Sequence, residues 1–271
     1  MNNSYVILEN TDLLTFLSKH YDLKTIKVLL KFKMVFVNGI EVSNIHTKLN
    51  MNDNVLIIKR DKDLFILYED KYIIICYKPY NLLTVADKKE RENTLYHKVS
   101  MYLKKKNKNS KVFIVHRLDY ETSGLVIFAK SKEIQGILQN NWNDVIRNYI
   151  CVVHGIFDKE KTLKYYLKEN SSLMVYKSKN GSLAITDVFP IKNNSKYSLL
   201  SLNIKTGKKH QIRVSLKEEG HPILGDTKYG IKDKFKHLYL CANKLEFNHP
   251  ITNKKIVIEW NLTHEYKKIL S

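Results

Sequence analysis

One stretch of this sequence carries more information than any other: His116-Arg117-Leu118-Asp119-Tyr120-Glu121-Thr122-Ser123-Gly124. It lies between two apolar runs, residues 112–115 and 125–128, which predict two β-strands joined by a short polar loop. The cation two residues before Asp119 and the hydroxyls after it favour an ionised carboxylate in a fixed orientation, and such a group can act as a nucleophile. Gly124 predicts a positive φ or a close backbone approach. An ordinary polar hairpin uses the same residue types, so the loop alone does not establish a site.

The residues around this loop predict one mixed domain of helices and strands, from residue 63 to residue 271. Further strands are expected at residues 72–77, 149–153, 197–204 and 256–260. Ser131 is a suitable N-cap for a helix over residues 131–143. Residues 60–63, Arg-Asp-Lys-Asp, form a charged joint between this domain and a smaller unit, residues 1–62.

The smaller unit begins with two stretches of helical periodicity and continues with strand-like runs around an Asn-Gly turn at residues 38–39. Two helices followed by LLKFKMVFVNGIEV (residues 29–42) and LNMNDNVLIIK (residues 49–59) resemble the S-four-type RNA-binding domain, named after a ribosomal protein of the small subunit. The resemblance implies that basic side chains of the second helix and the following turn contact RNA. The matching residues are Lys24, Lys27, Lys31 and Lys33, although lysines at this spacing also form ordinary solvated helix faces.

Charge and cysteine content narrow the possible partners. The 271-residue chain has a formal net charge of +19 and a pI of about 9.6, which indicates a polyanionic partner, nucleic acid or an anionic membrane surface. A lysine-rich genome composition can produce the same excess. The three cysteines, Cys76, Cys151 and Cys241, are too far apart for a disulfide framework or a zinc ribbon, and we expect no metal site. No signal peptide or membrane-spanning run is visible, so we expect a cytoplasmic protein without membrane contact.

Segments spread in order over the larger domain give a specific resemblance to one enzyme family. HRLDYETSG resembles the HRLDxxTSG motif of the RluA-type RNA pseudouridine synthases. Five further segments resemble motifs of the same family: the Lys-Pro turn in EDKYIIICYKPYNLLT (69–84), the basic-x-Tyr strand in RNYICVVHG (147–155), the TGRxHQIRxH segment in TGKKHQIRV (206–214), and two later loops in GHPILGDTKYG (220–230) and LCANKLEFNHP (240–250). The resemblance covers residues 65–262.

The resemblance implies an α+β fold with a mixed, mainly antiparallel central sheet and flanking helices. It also implies isomerisation of uridine in RNA to pseudouridine, with no cofactor. Asp119 would start cleavage of the glycosidic bond, Arg213 would pair with Asp119 and keep it ionised, and Tyr149 would stack on the uracil. Whether Asp119 attacks the sugar, attacks the base or removes a sugar proton stays open. Arg117 would replace the flipped uridine in the RNA stack, and the further candidates for RNA contact are His116, Lys208 and Lys209.

Some alternatives stay open at the level of sequence. Ser215 stands where the family usually has histidine, and Ser182 where it often has lysine, which puts details of RNA contact in doubt. The basic run at residues 104–111 is either a phosphate contact or a mobile solvated loop. The extra N-terminal unit favours large-subunit ribosomal RNA over transfer RNA, and we expect a monomer. A transfer RNA pseudouridine synthase and a noncatalytic ribosome-assembly protein on the same fold are the alternatives.

Overall fold

Two short helices and a small sheet form the N-terminal part, as the sequence predicts. The structure is a computed structural model that describes residues 4–61, 64–88, 90–260 and 266–271. The carboxylates of Asp12 and Asp22 cap helices α1 (Leu13–Ser18) and α2 (Leu23–Lys31) by accepting backbone hydrogen bonds at 3.0 and 2.8 Å. The strands of this part are β1 (Ser4–Val6), β2 (Thr11–Asp12), β3 (Val35–Val37), β4 (Ile40–Glu41), β5 (Lys48–Leu49) and β6 (Asn54–Ile57).

These strands make one four-stranded and one two-stranded sheet. The first has the order β1-β6-β3-β4 and is antiparallel throughout, and β2 pairs with β5. The β3–β4 hairpin turns at Asn38 and Gly39, whose φ angles of +51° and +80° are the left-handed values that a tight two-residue turn requires. The predicted Asn-Gly turn is therefore confirmed.

A twelve-stranded sheet organises the rest of the chain. Its strands are β7 (Lys59–Asp61), β8 (Leu64–Glu69), β9 (Ile73–Lys78), β10 (Phe113–Ile114), β11 (Ser123–Ala129), β12 (Ile146–His154), β13 (Lys161–Glu169), β14 (Val175–Lys177), β15 (Ser182–Asn193), β16 (Tyr197–Ile204), β17 (Leu240–Asn248) and β18 (Lys255–Glu259). They follow the order β14-β13-β15-β16-β12-β17-β11-β9-β8-β7, with β10 beside β11 and β18 beside β17. Only β11 and β17 run parallel among these pairs, so the mixed, mainly antiparallel α+β fold is confirmed.

Helices cover both faces of the sheet, and β11 is buried between them. Leu125 and Ile127 of β11 face α4 (Lys132–Asn140), whereas Val126 and Phe128 face α3 (Leu95–Lys106). The predicted cap of α4 is confirmed, because the Ser131 hydroxyl accepts a hydrogen bond from the N–H of Ile134 at 3.2 Å. A third helix, α5 (Gln211–Glu218), packs over β12 and β16. None of the described helices is long and apolar enough to cross a membrane.

Three parts of the fold differ from the sequence-based expectation. The charged joint begins as strand β7, which pairs with β8, so the large sheet starts before the expected boundary; residues 62 and 63 lie outside the described part. LCANKLEFNHP, predicted as a loop, is mostly strand β17. The basic run at residues 104–111 is not simply a loop, since its first three lysines form the last turn of α3 and Lys105 and Lys106 are ion-paired with Asp61 and Glu69 at 2.8 and 2.9 Å.

Candidate active site

The loop that carries Asp119 connects β10 to β11. Close contacts with β17 fix the end of this loop that leads into β11. Gly124 has a φ of +128°, and a Cβ atom there would lie 2.4 Å from the backbone oxygen of Ala242 in β17. Only glycine fits this position, which confirms the expectation from the sequence. The hydroxyls expected to act on Asp119 do not contact its carboxylate: the Ser123 hydroxyl donates to the carbonyl of Leu240 at 3.3 Å, and it is the backbone N–H of Thr122 that donates to the Asp119 carbonyl at 3.2 Å.

A buried lysine also holds the Asp119 loop in place. The ammonium group of Lys78, at the end of β9, donates hydrogen bonds to the carbonyls of Pro79, Leu82 and Tyr120 at 3.1, 2.7 and 3.1 Å. Burial lowers the pKa of Lys78 to about 7, and the negative charge of Asp119 partly opposes this shift. Thr84 fixes the other side of the loop through two hydrogen bonds with the backbone of Leu118. The Lys-Pro turn was recognised in the sequence, but no role was predicted for its lysine.

One cavity of about 510 Å³ brings most of the candidate residues together. Its wall is formed by the Asp119 loop, β12, and the segment that leads into α5. Among the lining residues are the predicted Asp119, Tyr149, Arg213, Arg117, His116, Lys208 and Lys209. Arg117 lies exposed at this wall, and no described carboxylate is ion-paired with it. An arginine at this position could instead form a salt bridge within the hairpin, and the described residues form none.

The neighbour of the Asp119 carboxylate is a histidine. Nε2 of His210 lies 3.9 Å from Oδ2 of Asp119, whose side chain is 37% exposed. His210 takes a left-handed φ of +50° just before α5, and its Nδ1 is 2.6 Å from the Tyr229 hydroxyl. Burial lowers the pKa of His210, with Asp119 acting in the opposite direction. The imidazole is therefore neutral at physiological pH, and Asp119 faces the cavity without a hydrogen-bonded cation among the described residues.

The expected pairing of Arg213 with Asp119 is wrong in this structure. Arg213 is 1% exposed, and its guanidinium grips Asp226 through Nε and Nη2 at 2.9 and 2.6 Å. Its Nη1 lies 2.6 Å from a carboxylate oxygen of Glu121. Burial disfavours the charge on Arg213, but the two carboxylates raise its pKa above the usual value. Because Glu121 follows Asp119 by two residues, Arg213 holds the loop that carries Asp119 without contacting the Asp119 carboxylate.

Tyr149 lines the cavity from β12, opposite a bulge in β17. Asn148 pairs with Lys244 and Tyr149 with Ala242, so Asn243 of β17 is the extra residue of a bulge, whereas β12 pairs regularly with β16 at the same positions. Burial raises the pKa of Tyr149; the positive charge of Arg147 opposes this shift, and the negative charge of Asp119 adds to it. The phenol is therefore protonated at neutral pH and can act only as a proton donor until another group removes that proton.

Next to Tyr149, the rings of His116 and Trp142 and the guanidinium of Arg147 form a layer that was not predicted from the sequence. The His116 imidazole stacks on Trp142 with ring centroids 4.4 Å apart, and the guanidinium carbon of Arg147 lies 5.7 Å from the centroid of Trp142. Nε2 of His116 accepts a hydrogen bond from the N–H of Ile127 at 3.2 Å. Burial lowers the pKa of His116 to about 3, and Arg147 contributes to the shift. His116, a candidate for RNA contact, is thus a neutral ring that also supports the loop.

The lysine candidates fall into two places. Lys208 and Lys209 lie exposed at the cavity, and Lys209 is ion-paired with Glu169. The other four are exposed on or just after α2 of the N-terminal part and do not line the cavity: Lys24, Lys27, Lys31 and Lys33. Of these, Lys33 is ion-paired with Glu41 at 3.0 Å.

Solved structures share this fold. A human protein described as RNA pseudouridylate synthase domain containing 1 aligns with a TM-score of 0.61 and 20% identity, over 74% of this chain and 85% of that one. A second human protein, RNA pseudouridylate synthase domain containing 4, gives 0.60 and 22% identity over 72% and 87%. The fold is that of the pseudouridine synthases.

Sequence comparison then gives the family. Residues 72–218 match the family model of RNA pseudouridylate synthases. A Bacillus subtilis protein described as an uncharacterized RNA pseudouridine synthase is 34% identical over 73% of this chain and 68% of its own length. A protein named tRNA pseudouridine synthase C from Haemophilus ducreyi (30% identical, 77% and 95% covered) and one named ribosomal large subunit pseudouridine synthase C from Buchnera aphidicola (30%, 84% and 75%) also match. The chain belongs to the RNA pseudouridylate synthase family and is an isomerase that converts uridine in RNA to pseudouridine.

Proposed function

We propose that this enzyme acts on large-subunit ribosomal RNA and that Asp119 starts the reaction by acting on the target nucleotide. The observation that carries the catalytic part is the cavity, where the open carboxylate of Asp119 and the protonated phenol of Tyr149 face the same space. The glycosidic N1–C1′ bond breaks, the uracil rotates, and a C5–C1′ bond forms. The hydrogen of C5 leaves as a proton, and N1, which carries no hydrogen in uridine, gains one, so the reaction consumes no co-reactant.

Positioning and electrostatics supply most of what this reaction needs. Tyr149 stacks on the uracil and places its hydroxyl for proton transfer. Arg117, exposed at the cavity wall and free of a described carboxylate partner, fills the gap that the flipped uridine leaves in the RNA stack. That contact lowers the cost of extruding the base.

The choice of ribosomal RNA rests on the N-terminal part. Three lysines of α2, Lys24, Lys27 and Lys31, are spaced so that they share one exposed face, and no described carboxylate is ion-paired with them. Such a stripe suits the phosphates of a structured RNA. We propose that this part is an S-four-type RNA-binding unit and that the enzyme works in the cytoplasm as a monomer. The alternative target is transfer RNA, because relatives with names for each target match this chain.

The test is tritium release from 5-tritiated transcripts of large-subunit ribosomal RNA and of transfer RNA from the same organism. Isomerisation moves the glycosidic bond to C5 and releases that hydrogen into water. We expect release from the ribosomal transcript with the wild-type enzyme and none with Asp119→Asn. Release from transfer RNA alone would replace the proposed target. Tight RNA binding without release from either transcript would favour the noncatalytic assembly role.

A further inference from the structure

Arg147 is a buried arginine without a described carboxylate partner, in the wall of the catalytic cavity. It lies in β12 two residues before Tyr149 and is 6% exposed. Its Nε donates a hydrogen bond to the carbonyl of Val145 at 3.3 Å, and Trp142 packs against one face of the guanidinium. The two terminal nitrogens have no hydrogen bond to a described residue, and the side chain lines the cavity.

This arrangement is unfavourable for the free protein. Burial of most of this side chain costs hydration, although its terminal nitrogens reach the cavity, and neither the Val145 carbonyl nor the ring of Trp142 carries the full negative charge that would offset that cost. Burial lowers the pKa of Arg147, as expected for a cation with no anion beside it. Arg213 in the same cavity shows the usual solution, because two carboxylates surround it.

The space beside Arg147 is open. Residue 207 is glycine, and a Cβ atom there would lie 3.4 Å from Nη1 of Arg147, so a side chain would close the approach to the guanidinium. The two terminal nitrogens form a planar fork, which fits two oxygens of a phosphate group better than the single carbonyl oxygen of a base.

We infer that Arg147, with Gly207 and Trp142, forms a binding site for a backbone phosphate of the RNA strand next to the flipped uridine. The phosphate supplies the missing negative charge, and the stacked rings of Trp142 and His116 keep water away from the ion pair. Arg147 thereby fixes the backbone while Tyr149, two residues further along β12, contacts the base. This inference rests on the RNA-modifying function of the cavity.

The test compares Arg147→Met, Arg147→Lys and Gly207→Val with wild type, and uses Lys254→Met, an exposed lysine in the β17–β18 turn, as the matched charge control. Tritium release from the transcript that the wild-type enzyme modifies gives kcat and KM at several KCl concentrations, and thermal unfolding of the RNA-free protein gives Tm. We expect Arg147→Met to raise KM about tenfold or more and to reduce the slope of log KM against log salt by about 0.7. Its Tm is expected to equal or exceed that of wild type, because an unpaired buried charge is removed.

Arg147→Lys should keep the salt slope and lose part of the affinity, Gly207→Val should raise KM without removing a charge, and Lys254→Met should match wild type. A lower Tm in Arg147→Met with unchanged KM and salt slope would overturn the inference and make Arg147 a purely structural residue. If the wild-type enzyme releases no tritium from any RNA, the proposed function fails. The salt dependence of binding to the large-subunit ribosomal RNA transcript then still decides the role of Arg147.

Discussion

Two arginines reach the same cavity and differ in what surrounds them. Arg213 is 1% exposed and held by Asp226 and Glu121, whereas Arg147 is 6% exposed and has no described carboxylate partner. Near-complete burial is common to both, so burial alone does not separate a structural arginine from one that awaits a ligand. What separates them is whether carboxylates neutralise the guanidinium.

The same difference separates the two sides of the cavity. Around α5, the charges of Arg213, Asp226 and Glu121 are satisfied within the protein, and they fix the Asp119 loop. Along the other wall, Asp119 and Arg147 have charges that no described residue neutralises at hydrogen-bond distance. Paired charges should matter for folding, and open charges for the reaction and for RNA binding.

The largest expected effect comes from Asp119→Asn, at the cavity wall where no described residue neutralises the charges. We expect turnover to fall at least about 1,000-fold, because the substitution removes the carboxylate that we propose starts the reaction. RNA affinity and Tm should stay near the wild-type values, since the side chain is 37% exposed and no described residue donates a hydrogen bond to its carboxylate. Tritium release, filter binding and thermal unfolding measure the three quantities. Asp158→Asn, an exposed carboxylate outside the cavity, is the matched control.

Normal turnover in Asp119→Asn would place the chemistry elsewhere. A parallel loss of RNA affinity and turnover would mean that Asp119 organises the RNA site rather than the reaction.

For the paired charges around α5, we expect substitutions to reduce stability instead. Asp226→Asn should reduce the free energy of unfolding by about 3 kcal/mol, because it leaves a buried guanidinium with only Glu121. Glu121→Gln should cost less, about 1 kcal/mol, since that side chain is 25% exposed. Urea unfolding of both variants checks the order of the two effects. Wild-type stability in Asp226→Asn would remove the distinction between the two arginines.

The sequence predicted the parts of the site that depend on local signals. Gly124 and the Ser131 cap were correct, because a positive φ and an N-cap leave a recognisable residue type at one position. The pairing of Arg213 was not, because its partner Asp226 is thirteen residues away and comes close only once α5 and the following loop have folded.

Helix α5 and strand β17 were missed for a related reason. Gln211, Arg213 and Ser215 are buried polar residues inside α5, so the helix has no clear apolar stripe. In β17 the residues Asn243 and Lys244 sit at the bulge opposite Asn148 and Tyr149 and interrupt the alternation of a strand. A pattern based on polarity fails where tertiary contacts bury polar groups.

We also expect the stability of the folded protein to decrease in acid because of His116. Its pKa in the folded protein is about 3, below the usual value of 6.5, so the unfolded chain takes up the proton first. Stability is therefore lost as the pH falls from 6.5 toward 3, by up to about 1.4 kcal/mol per pH unit. We expect the free energy of unfolding to fall less between pH 6.5 and pH 4.5 in His116→Asn than in wild type. Identical pH profiles would mean that the ring is not neutral in the folded state.

The smallest effect extends the comparison to charges outside the cavity. Replacing Lys24, Lys27 and Lys31 together with alanine should lower affinity for ribosomal RNA about three- to tenfold and leave kcat unchanged, because no described carboxylate is ion-paired with these lysines and they lie outside the cavity. Lys19→Ala is the matched control, since Lys19, the residue that follows α1, is ion-paired with Glu9 at 3.6 Å. Filter binding at two salt concentrations, with tritium release at saturating RNA, separates affinity from turnover. If the triple variant binds ribosomal RNA as tightly as wild type does, these lysines are an ordinary solvated face. Open charge would then mark function in this protein only inside the cavity.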